Sequence, residues 1–556
     1  MKNSVRLQKA GSVICFAAIL IVLGILIVCP LISILSEAVV VDGRFSFNNL
    51  IKAFSEADYF KTIGNSLLLG LSVTLLSSVI ALPLAYLFSR TTFAKQKWLD
   101  IVFMIPFMTP PYIAAMGWTQ FLDKNGFLEQ IMPFFSHSSE FLYSFTGLTL
   151  IMSLHVFPFM FTMMKNALLN IPSSLEEAAA VSGGGFFYRL RRVLAPLLTG
   201  NYAIAAILVF IKTIGEYGTP AVIGSRMGFY VFTTSIHNFT TVAPINFGMS
   251  AMLSSLLTIL CFAMWLIQNH ITVKRTYKVV GGKGVKVTQK KLPVWGKIIG
   301  ITYIALVLFV AVGIPYFSVI TTSFIKLRSV GLQAGNFTGE YYVELFRQGG
   351  KGLKAIGVSL FLAVTSATIA SALGTIICLF SRKKNKLKKI PEAVGMVPEM
   401  LPSIVLVIGI MLFWNAIYKA IPLYNTLGIM VLAYVVLFLP YSIQYVTSAF
   451  SQFGDNLPLA GRIMGGSKTY VFFKITLPLL AKGIISGWMM IFIISFRELI
   501  TASLIAPTNT LVVSTFIMRQ FEQGEAQLGM CMAVICLLIT VVALAIVKLL
   551  TERKKR

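Results

Sequence analysis

Residues 170–185 read NIPSSLEEAAAVSGGG. The stretch begins with a turn, continues with two glutamates and three alanines, and ends in glycines. Alanines favour a helix, and the glutamates suit its positive N-terminal end. Ser173 or Ser174 can cap this helix, and Gly183 supplies the break at its end. Because a helix of three turns or fewer is marginally stable alone, we expect another part of the protein to hold it.

A second copy of this stretch lies later in the chain, where residues 452–467 read QFGDNLPLAGRIMGGS. One constant interval relates the pairs Gly183 and Gly465, Pro196 and Pro478, Phe210 and Phe492, Glu216 and Glu498, and Thr219 and Thr501. A slightly longer interval relates residues 88–90 to 380–382, 104–106 to 396–398, and Pro110 to Pro402. This internal repeat indicates that the chain consists of two halves with the same fold.

The composition excludes a soluble enzyme. Of the 556 residues, 57% are hydrophobic and 12% are charged, and the mean hydropathy is +0.83. Soluble domains contain about 25% charged residues, so this chain has more apolar surface than a water-exposed fold can bury. The net charge of +27 does not indicate nucleic-acid binding, because the basic residues fall between apolar runs. Both features are typical of a polytopic membrane protein.

Apolar runs long enough to cross a bilayer, which takes about 20 residues, recur along the whole chain. They are 11–34, 63–88, 101–122, 143–164, 199–223, 247–270, 298–322, 355–380, 392–416, 427–449, 483–506 and 525–548. Lysine and arginine are concentrated in alternate connecting segments, so the positive-inside rule places both termini in the cytoplasm. We predict an all-α polytopic membrane protein with about 12 transmembrane helices, the first of them uncleaved.

A basic segment with several glycines divides the two halves. We predict a first six-span domain over residues 1–270, a cytoplasmic linker over 271–297 and a second six-span domain over 298–556. An even number of spans returns the chain to the same side of the membrane, so the two domains are parallel repeats. Such repeats place a translocation path between them.

The loop after the fourth span resembles the EAA loop of binding-protein-dependent ABC importer permeases. The residues that carry this resemblance are Glu177, Ala178, Ala179, Gly183 and Pro196. The second copy has the same spacing, with Leu459, Ala460, Gly461, Gly465 and Pro478, but leucine replaces the glutamate. Together the halves, loops and linker resemble fused permeases of the type I importer fold over nearly the whole chain.

The resemblance implies a transport subunit and not an enzyme. In this family the EAA loop is a coupling helix that docks into a groove on a cytoplasmic ABC ATPase. We therefore expect coupling helices at about 173–184 and 455–466, with two ATPase copies and an extracytoplasmic solute-binding protein as partners. The resemblance further implies that this chain binds no cofactor and lies in the bacterial inner membrane.

Among fused permeases, the chain most resembles the ferric-iron importers. The fused length and residues 210–220, FIKTIGEYGTP, carry this closer resemblance. It implies ferric iron as the cargo, with 2-aminoethylphosphonate, thiamine and polyamines as alternatives. Cargo selection in this family is made largely by the separate binding protein, so the permease sequence leaves these alternatives open.

Ionisable groups within a span are costly and usually face the interior of the helix bundle. Glu216, Glu498 and Arg497 fall within predicted spans, and Lys212 lies one turn before Glu216. The two glutamates either line the path or its outer gate, or stabilise helices by ion pairs and hydrogen bonds. Pro106 and Pro398 interrupt the third span of each half. They indicate either a gate-forming kink or simple helix bending.

A rival class is an ion-coupled secondary transporter, in which Glu216 and Glu498 would carry protons. A membrane scaffold or enzyme is a third possibility, but no catalytic constellation or metal-ligand cluster supports it. Residues 461–469, GRIMGGSKT, almost match a phosphate-binding P-loop, but serine stands where the motif requires lysine. The chain therefore should not hydrolyse ATP, and its energy must come from a partner.

Overall fold

The computed structural model describes residues 2–41, 43–275, 288–382, 386–453 and 456–552. Within these residues, ten continuous helices are long and apolar enough to cross a membrane. They are Val13–Val39, Ala57–Arg90, Phe145–Leu169, Phe186–Ile214, Phe247–Thr272, Val294–Phe324, Lys351–Ser381, Leu427–Gln452, Lys468–Phe496 and Ala526–Ile546. Residues 276–287 of the predicted linker lie outside the described residues.

A bent pair of helices replaces the third predicted span of each half. The pairs are Lys97–Met108 with Pro111–Ile131, bent by 89°, and Leu387–Met400 with Ser403–Ala416, bent by 112°. Pro110 and Pro402 occupy the residue before the second helix of each pair. Proline disfavours helical geometry in the residue before it, which ends the first helix there. Counting each pair as one span gives up to 12 spans, so the predicted all-α polytopic fold is confirmed.

Shorter elements connect these helices. The short α-helices are Asn48–Ser55, Phe127–Ile131, Ser138–Leu142, Ser173–Val181, Phe232–Thr241, Glu340–Leu345, Asn456–Ile463, Ile500–Ile505 and Val513–Glu522. Short 3-10 helices cover Thr92–Lys95, Pro133–Phe135, Ser225–Met227 and Lys386–Lys389, and a π-helical turn covers Pro220–Gly224. Strands Val40–Val41 and Arg44–Phe45 form a small antiparallel ladder.

Four membrane helices continue through a proline by means of a π-helical turn placed just before it. The turns are Gly24–Val28, Leu190–Leu194, Phe309–Gly313 and Phe472–Thr476, and the prolines are Pro30, Pro196, Pro315 and Pro478. Proline lacks a backbone N–H, and its ring clashes with the carbonyl four residues earlier. A wider turn relieves the clash while the helix goes on. Two of these prolines are those of the EAA-type loops.

The helices form two compact units. One comprises Met1–Ala53, Ile236–Thr258 and Gly339–Arg556, and the other comprises Phe54–Ser235 and Ile259–Thr338. The first membrane helix of each sequence half therefore belongs to the unit that is built mostly from the other half. The predicted domain boundaries at 270 and 298 describe the sequence repeat and remain a prediction.

In each unit, a glycine of the broken span lets the first membrane helix of one sequence half pack closely against that span. A Cβ atom added at Gly409 would lie 2.6 Å from the carbonyl oxygen of Pro30. In the other unit, a Cβ atom added at Gly117 would lie 2.7 Å from the carbonyl oxygen of Pro315. Gly117 and Gly409 are related by the sequence repeat. Small residues at such crossings are a general feature of membrane-helix packing.

We predict that Gly409→Ala lowers the midpoint temperature of thermal unfolding in detergent, because the added methyl group overlaps the backbone of Pro30. Overpacking of this kind costs about 1–3 kcal/mol. Gly357→Ala is the matched control, since a Cβ atom there meets nothing within 4 Å. The control should leave the midpoint unchanged or raise it. Equal midpoints for the two variants would contradict the described packing.

Candidate functional site in the repeated loops

The two EAA-type loops contain short helices that end in the same way. The first loop helix is Ser173–Val181 and the second loop helix is Asn456–Ile463. Gly183 and Gly465 have φ angles of +81° and +87°, a left-handed conformation that glycine adopts without strain. Both helices are therefore slightly shorter than the predicted coupling segments, and Asp455 lies outside the described residues.

Backbone hydrogen bonds after each loop helix form a Schellman motif. In the first loop, Gly184 N–H donates to the Ala179 carbonyl at 2.9 Å and Gly183 N–H to the Ala180 carbonyl at 3.0 Å. In the second, the corresponding bonds from Gly466 and Gly465 measure 3.0 and 3.1 Å. The glycine pair thus fixes the end of both helices, although the residues inside the helices differ.

The first loop helix presents its EAA residues outward. Glu177 and Ala178 are exposed and Ala179 is half-buried. Val181, one turn further along, is 91% exposed. A carboxylate beside small side chains on an exposed helix leaves room for a partner surface to approach closely. This arrangement is compatible with the docking role that the sequence predicts for Glu177.

Glu176, the residue before the EAA motif, is buried in an ion-pair cluster. Its carboxylate lies 2.8 Å from Nε of Arg90 and 3.2 Å from Nζ of Lys290. The Glu176 and Arg90 side chains are only 2% and 1% exposed, whereas that of Lys290 is 32% exposed. Arg90 also donates from Nη2 to the Ile171 carbonyl at 2.9 Å. This cluster ties the loop helix to the end of the helix Ala57–Arg90, which supplies the support that a short helix requires.

The cap predicted at the start of the first loop helix is wrong. Pro172 occupies the N-cap position, and no side chain caps the helix. The hydroxyl of Ser173 instead donates to Oγ1 of Thr288 at 3.1 Å and accepts the N–H of Thr288 at 3.2 Å. Local capping rules could not find this contact, since its partner is more than a hundred residues away in the chain.

The second loop lacks the acidic anchor. Pro458 stands where the first loop has Glu176, and Leu459, in place of the EAA glutamate, is 53% exposed. Arg382, the repeat partner of Arg90, lies with its guanidinium 4.0 Å from the centre of the Phe450 ring. Arg382 therefore makes a cation–π contact, whereas Arg90 in the first half makes an ion pair. The surface of the second loop is correspondingly apolar, with Ile463 and Met464 86% and 88% exposed.

Glu216 and Glu498 lie in breaks, not inside continuous membrane helices as the predicted spans 199–223 and 483–506 imply. The preceding helices end at Ile214 and Phe496. The Glu216 carboxylate accepts the N–H of Thr219 at 3.1 Å, and the Glu498 carboxylate accepts that of Thr501 at 2.8 Å. The predicted spans were defined by apolar residues alone. An apolar run does not reveal a helix break, because a nearby carboxylate can satisfy the backbone groups that the break exposes.

The backbone around each of these glutamates is held by the same hydroxyl network. The Glu216 carbonyl accepts the Thr233 hydroxyl at 2.7 Å, and the Glu498 carbonyl accepts the Ser514 hydroxyl. The following helices are fixed in turn: Ser66 and Ser359 each accept a backbone N–H at 2.8 Å, from Phe232 and Val513 respectively. These contacts support the helix-stabilising interpretation of the two glutamates, although their role in transport stays a prediction.

The two basic residues near these breaks have different surroundings. The ammonium group of Lys212 lies 5.7 Å from the centre of the Phe107 ring and 5.4 Å from that of the Phe159 ring. Arg497 lies in the break before Glu498, where its N–H donates to the Ile494 carbonyl at 3.3 Å. Cation–π contacts stabilise a lysine in apolar surroundings.

The prolines predicted as gate residues lie just before the breaks in the third spans. Pro106 is buried within Lys97–Met108, and Pro398 is buried in the 3-10 turn Val397–Met400. The break is sharper than simple bending, but whether it gates transport stays a prediction.

Sequence reasoning missed Glu399, which follows Pro398 at this break. Its side chain is exposed, and its carboxylate accepts a hydrogen bond from Nε2 of Gln444. The signal was present in the sequence, because Glu399 is an ionisable residue within the predicted span 392–416. Such residues almost always face water or the bundle interior.

The described residues contain no group of three or more His, Cys, Asp or Glu side chains that could hold a metal ion. The expectation that the chain binds no cofactor remains a prediction.

A family comparison matches both halves of the chain. The model for the binding-protein-dependent transport system inner membrane component covers residues 75–276 and again 367–556. The two matches contain the two EAA-type loops, one in each.

Some relatives align over most of the chain and others over one part of it. The ferric transport system permease protein FbpB of Actinobacillus pleuropneumoniae is 24% identical over 530 residues, which cover 91% of this chain and 74% of the relative. An Fe(3+)-transport system permease protein of Haemophilus influenzae is 22% identical over 454 residues, covering 80% and 81%. The putrescine transport system permease protein PotI of Escherichia coli is 26% identical over 214 residues, covering 38% and 75%.

We predict that Glu176→Gln destabilises the protein, because it leaves the buried guanidinium of Arg90 without its carboxylate. Breaking a buried ion pair from one side costs about 3–5 kcal/mol. Thermal unfolding should start at a lower temperature, and limited proteolysis should cut the first loop faster. Glu177→Gln is the control: this exposed side chain should affect neither measurement. Identical proteolysis of both variants would contradict the anchoring role of Glu176.

Proposed function

We propose a cargo and a mode of coupling for this chain, which belongs to the family of binding-protein-dependent transport system inner membrane components. It is a multi-pass inner-membrane permease of an ABC importer. We propose that it forms the translocation pathway for ferric iron, with both termini in the cytoplasm.

The exposed EAA surface of the first loop helix is the observation that best supports docking to an ATPase. Glu177 lies outside the buried Arg90–Glu176 cluster, so a partner reaches it without disturbing the anchor. In our proposal each loop helix docks one copy of a cytoplasmic ABC ATPase. The first docks through a carboxylate and small residues, and the second through its apolar surface at Leu459, Ile463 and Met464.

The buried anchor gives the first loop a route to the membrane. Because Arg90 ends the helix Ala57–Arg90, a displacement of the loop helix acts directly on that membrane helix. ATP-driven closure of the ATPase pair would then move both loop helices and rock the membrane helices between inward- and outward-open states, as in other alternating-access transporters. An extracytoplasmic binding protein delivers the cargo from the other side.

The cargo proposal rests on the relatives and on Glu399. Two relatives aligned over 91% and 80% of the chain are named as ferric-iron transport permeases. A hard trivalent cation prefers oxygen ligands, carboxylates among them. The exposed Glu399 carboxylate at the break of a predicted span is suited to contact a passing cation. A polyamine is the second candidate, because the putrescine permease also matches part of the chain and its cargo is a cation. 2-Aminoethylphosphonate and thiamine remain alternatives.

The geometry of Glu216 and Glu498, the candidate proton carriers, disfavours an ion-coupled secondary transporter. Each carboxylate accepts the backbone N–H three residues further along the chain. Protonation in each cycle would weaken these charge-assisted bonds and release the start of the following helix. The hydrogen-bond network supports a structural role for these carboxylates better than a proton-carrying one.

Glu177→Lys should uncouple transport from ATP hydrolysis while the protein remains inserted and stable. The substitution reverses the charge of an exposed docking residue and touches no buried contact. Cargo uptake by reconstituted vesicles and co-purification of the ATPase are the measurements. Glu177→Asp, which keeps the charge at the same exposed position, is the control and should transport normally. Normal uptake by well-expressed Glu177→Lys would refute the docking assignment.

Glu399→Gln should reduce ferric-iron uptake by about tenfold, the effect of raising the transport barrier by roughly 1.4 kcal/mol. The amide keeps the shape of the side chain and removes only its charge. Glu399→Asp, which keeps the charge, should retain most of the uptake. Vesicles with internal ATP and iron-loaded binding protein provide the assay. Equal uptake by wild type and Glu399→Gln would exclude a contact between this carboxylate and the cargo.

A further inference from the structure

The chain between the two halves returns to the first loop. After the undescribed residues 276–287, Thr288 and Lys290 lie beside the end of the helix Ala57–Arg90. The N–H of Lys290 donates to the Arg90 carbonyl at 2.9 Å, and Lys290 forms a parallel β-bridge with Thr91. We call residues 288–290 the strap.

The strap also holds the first loop helix. Thr288 exchanges two hydrogen bonds with the Ser173 hydroxyl, at 3.1 and 3.2 Å, and Ser173 is the first residue of that helix. One turn later, the Lys290 ammonium lies 3.2 Å from the Glu176 carboxylate. The strap therefore contacts the same helix at two positions on its buried side.

Glu176 joins three segments that are distant in the sequence. One carboxylate meets Arg90 from the end of a membrane helix and Lys290 from the strap. Because Arg90 and Glu176 are almost fully buried, their attraction is little screened by water. Removing either cation leaves the carboxylate with a single partner. The strap thus completes the charge balance of the anchor.

The strap leads directly into the next membrane helix, Val294–Phe324. That helix packs beside the same region: a Cβ atom added at Gly300 would lie 2.9 Å from the Phe93 ring, just after the end of Ala57–Arg90. A movement of the first loop helix can therefore reach two membrane helices, one through Arg90 and one through the strap.

The second loop has no comparable support among the described residues. None of the ion pairs between described residues involves residues 456–463, and Pro458 replaces the anchoring glutamate. The strap is thus specific to the first loop. This difference between otherwise equivalent loops calls for a role beyond joining two domains.

We infer that the strap is part of the coupling machinery: Thr288 and Lys290 position the first loop helix, so that loop, strap and two membrane helices move as one body when the ATPase moves. This inference rests on the proposed docking of the first loop. Lys290 is a positioning residue, since it acts through Glu176.

The test compares Lys290→Gln combined with Thr288→Val against Lys291→Gln, a neighbouring exposed lysine. Each protein is reconstituted with its ATPase and binding protein, and ATP hydrolysed is measured per cargo molecule imported. The strap variant should still bind the ATPase and hydrolyse ATP, but its ATP cost per cargo should rise about fivefold, at the low end of coupling between sites. Lys291→Gln should match the wild type, and Lys290→Arg with native Thr288 should stay close to it.

The outcomes separate the strap from the docking proposal. If the wild-type protein binds no ATPase, the proposed function itself fails. If wild type and strap variant both bind the ATPase and show the same ATP cost per cargo, the strap inference is overturned while docking stands.

A second measurement tests the inference if the strap variant fails to fold. Ser173→Cys with Thr288→Cys should form a reducible disulfide, because the native side chains touch. If loop and strap move as one body, the cross-linked protein should import cargo as efficiently as its reduced form. Loss of import on cross-linking, restored by reduction, would show that the two must separate and would overturn the inference.

Discussion

The buried ion pair between Arg90 and Glu176 is the interaction on which the first loop depends. A nine-residue helix of small side chains does not hold its position alone. Because both charged side chains are almost fully buried, the pair fixes the loop helix to the end of a membrane helix. This leaves the next carboxylate, Glu177, outside and available. Adjacent glutamates therefore serve opposite purposes, one facing inward as an anchor and one facing outward toward a partner.

The membrane imposes the second constraint, which is that every backbone group must find a partner. The chain meets it in a repeated manner. π-helical turns carry four helices through prolines, and carboxylates at Glu216 and Glu498 satisfy the backbone where two helices stop. The hydroxyl network recurs in both units with different residues, threonine at position 233 and serine at 514. Repeated geometry with varied side chains indicates that the backbone break itself is the element being maintained.

Sequence reasoning predicted the helices, the repeat and the glycine ends of both loops, because these follow from local apolarity, spacing and the special conformations of glycine. It failed where a contact spans the chain. Nothing near Ser173 indicates that its hydroxyl bonds with Thr288, and nothing near Glu176 distinguishes it from Glu177 except the face of the helix on which each falls. Glu399 could have been found, since an ionisable residue within an apolar span is itself a signal. The sequence could not predict that the first membrane helix of each half belongs to the unit built mostly from the other half. Apolar composition carries no information about which helices pack together.

Site-specific cross-linking in native membranes can show whether the exposed end of the first loop helix meets an ATPase. Val181→Cys and Phe134→Cys place a short cross-linker at two positions that are each 91% exposed, one in the loop and one far from it in the sequence. We expect Val181→Cys to capture an ABC ATPase and Phe134→Cys to capture none. Capture of no ATPase at Val181→Cys, in a protein that still imports cargo, would contradict the proposed docking.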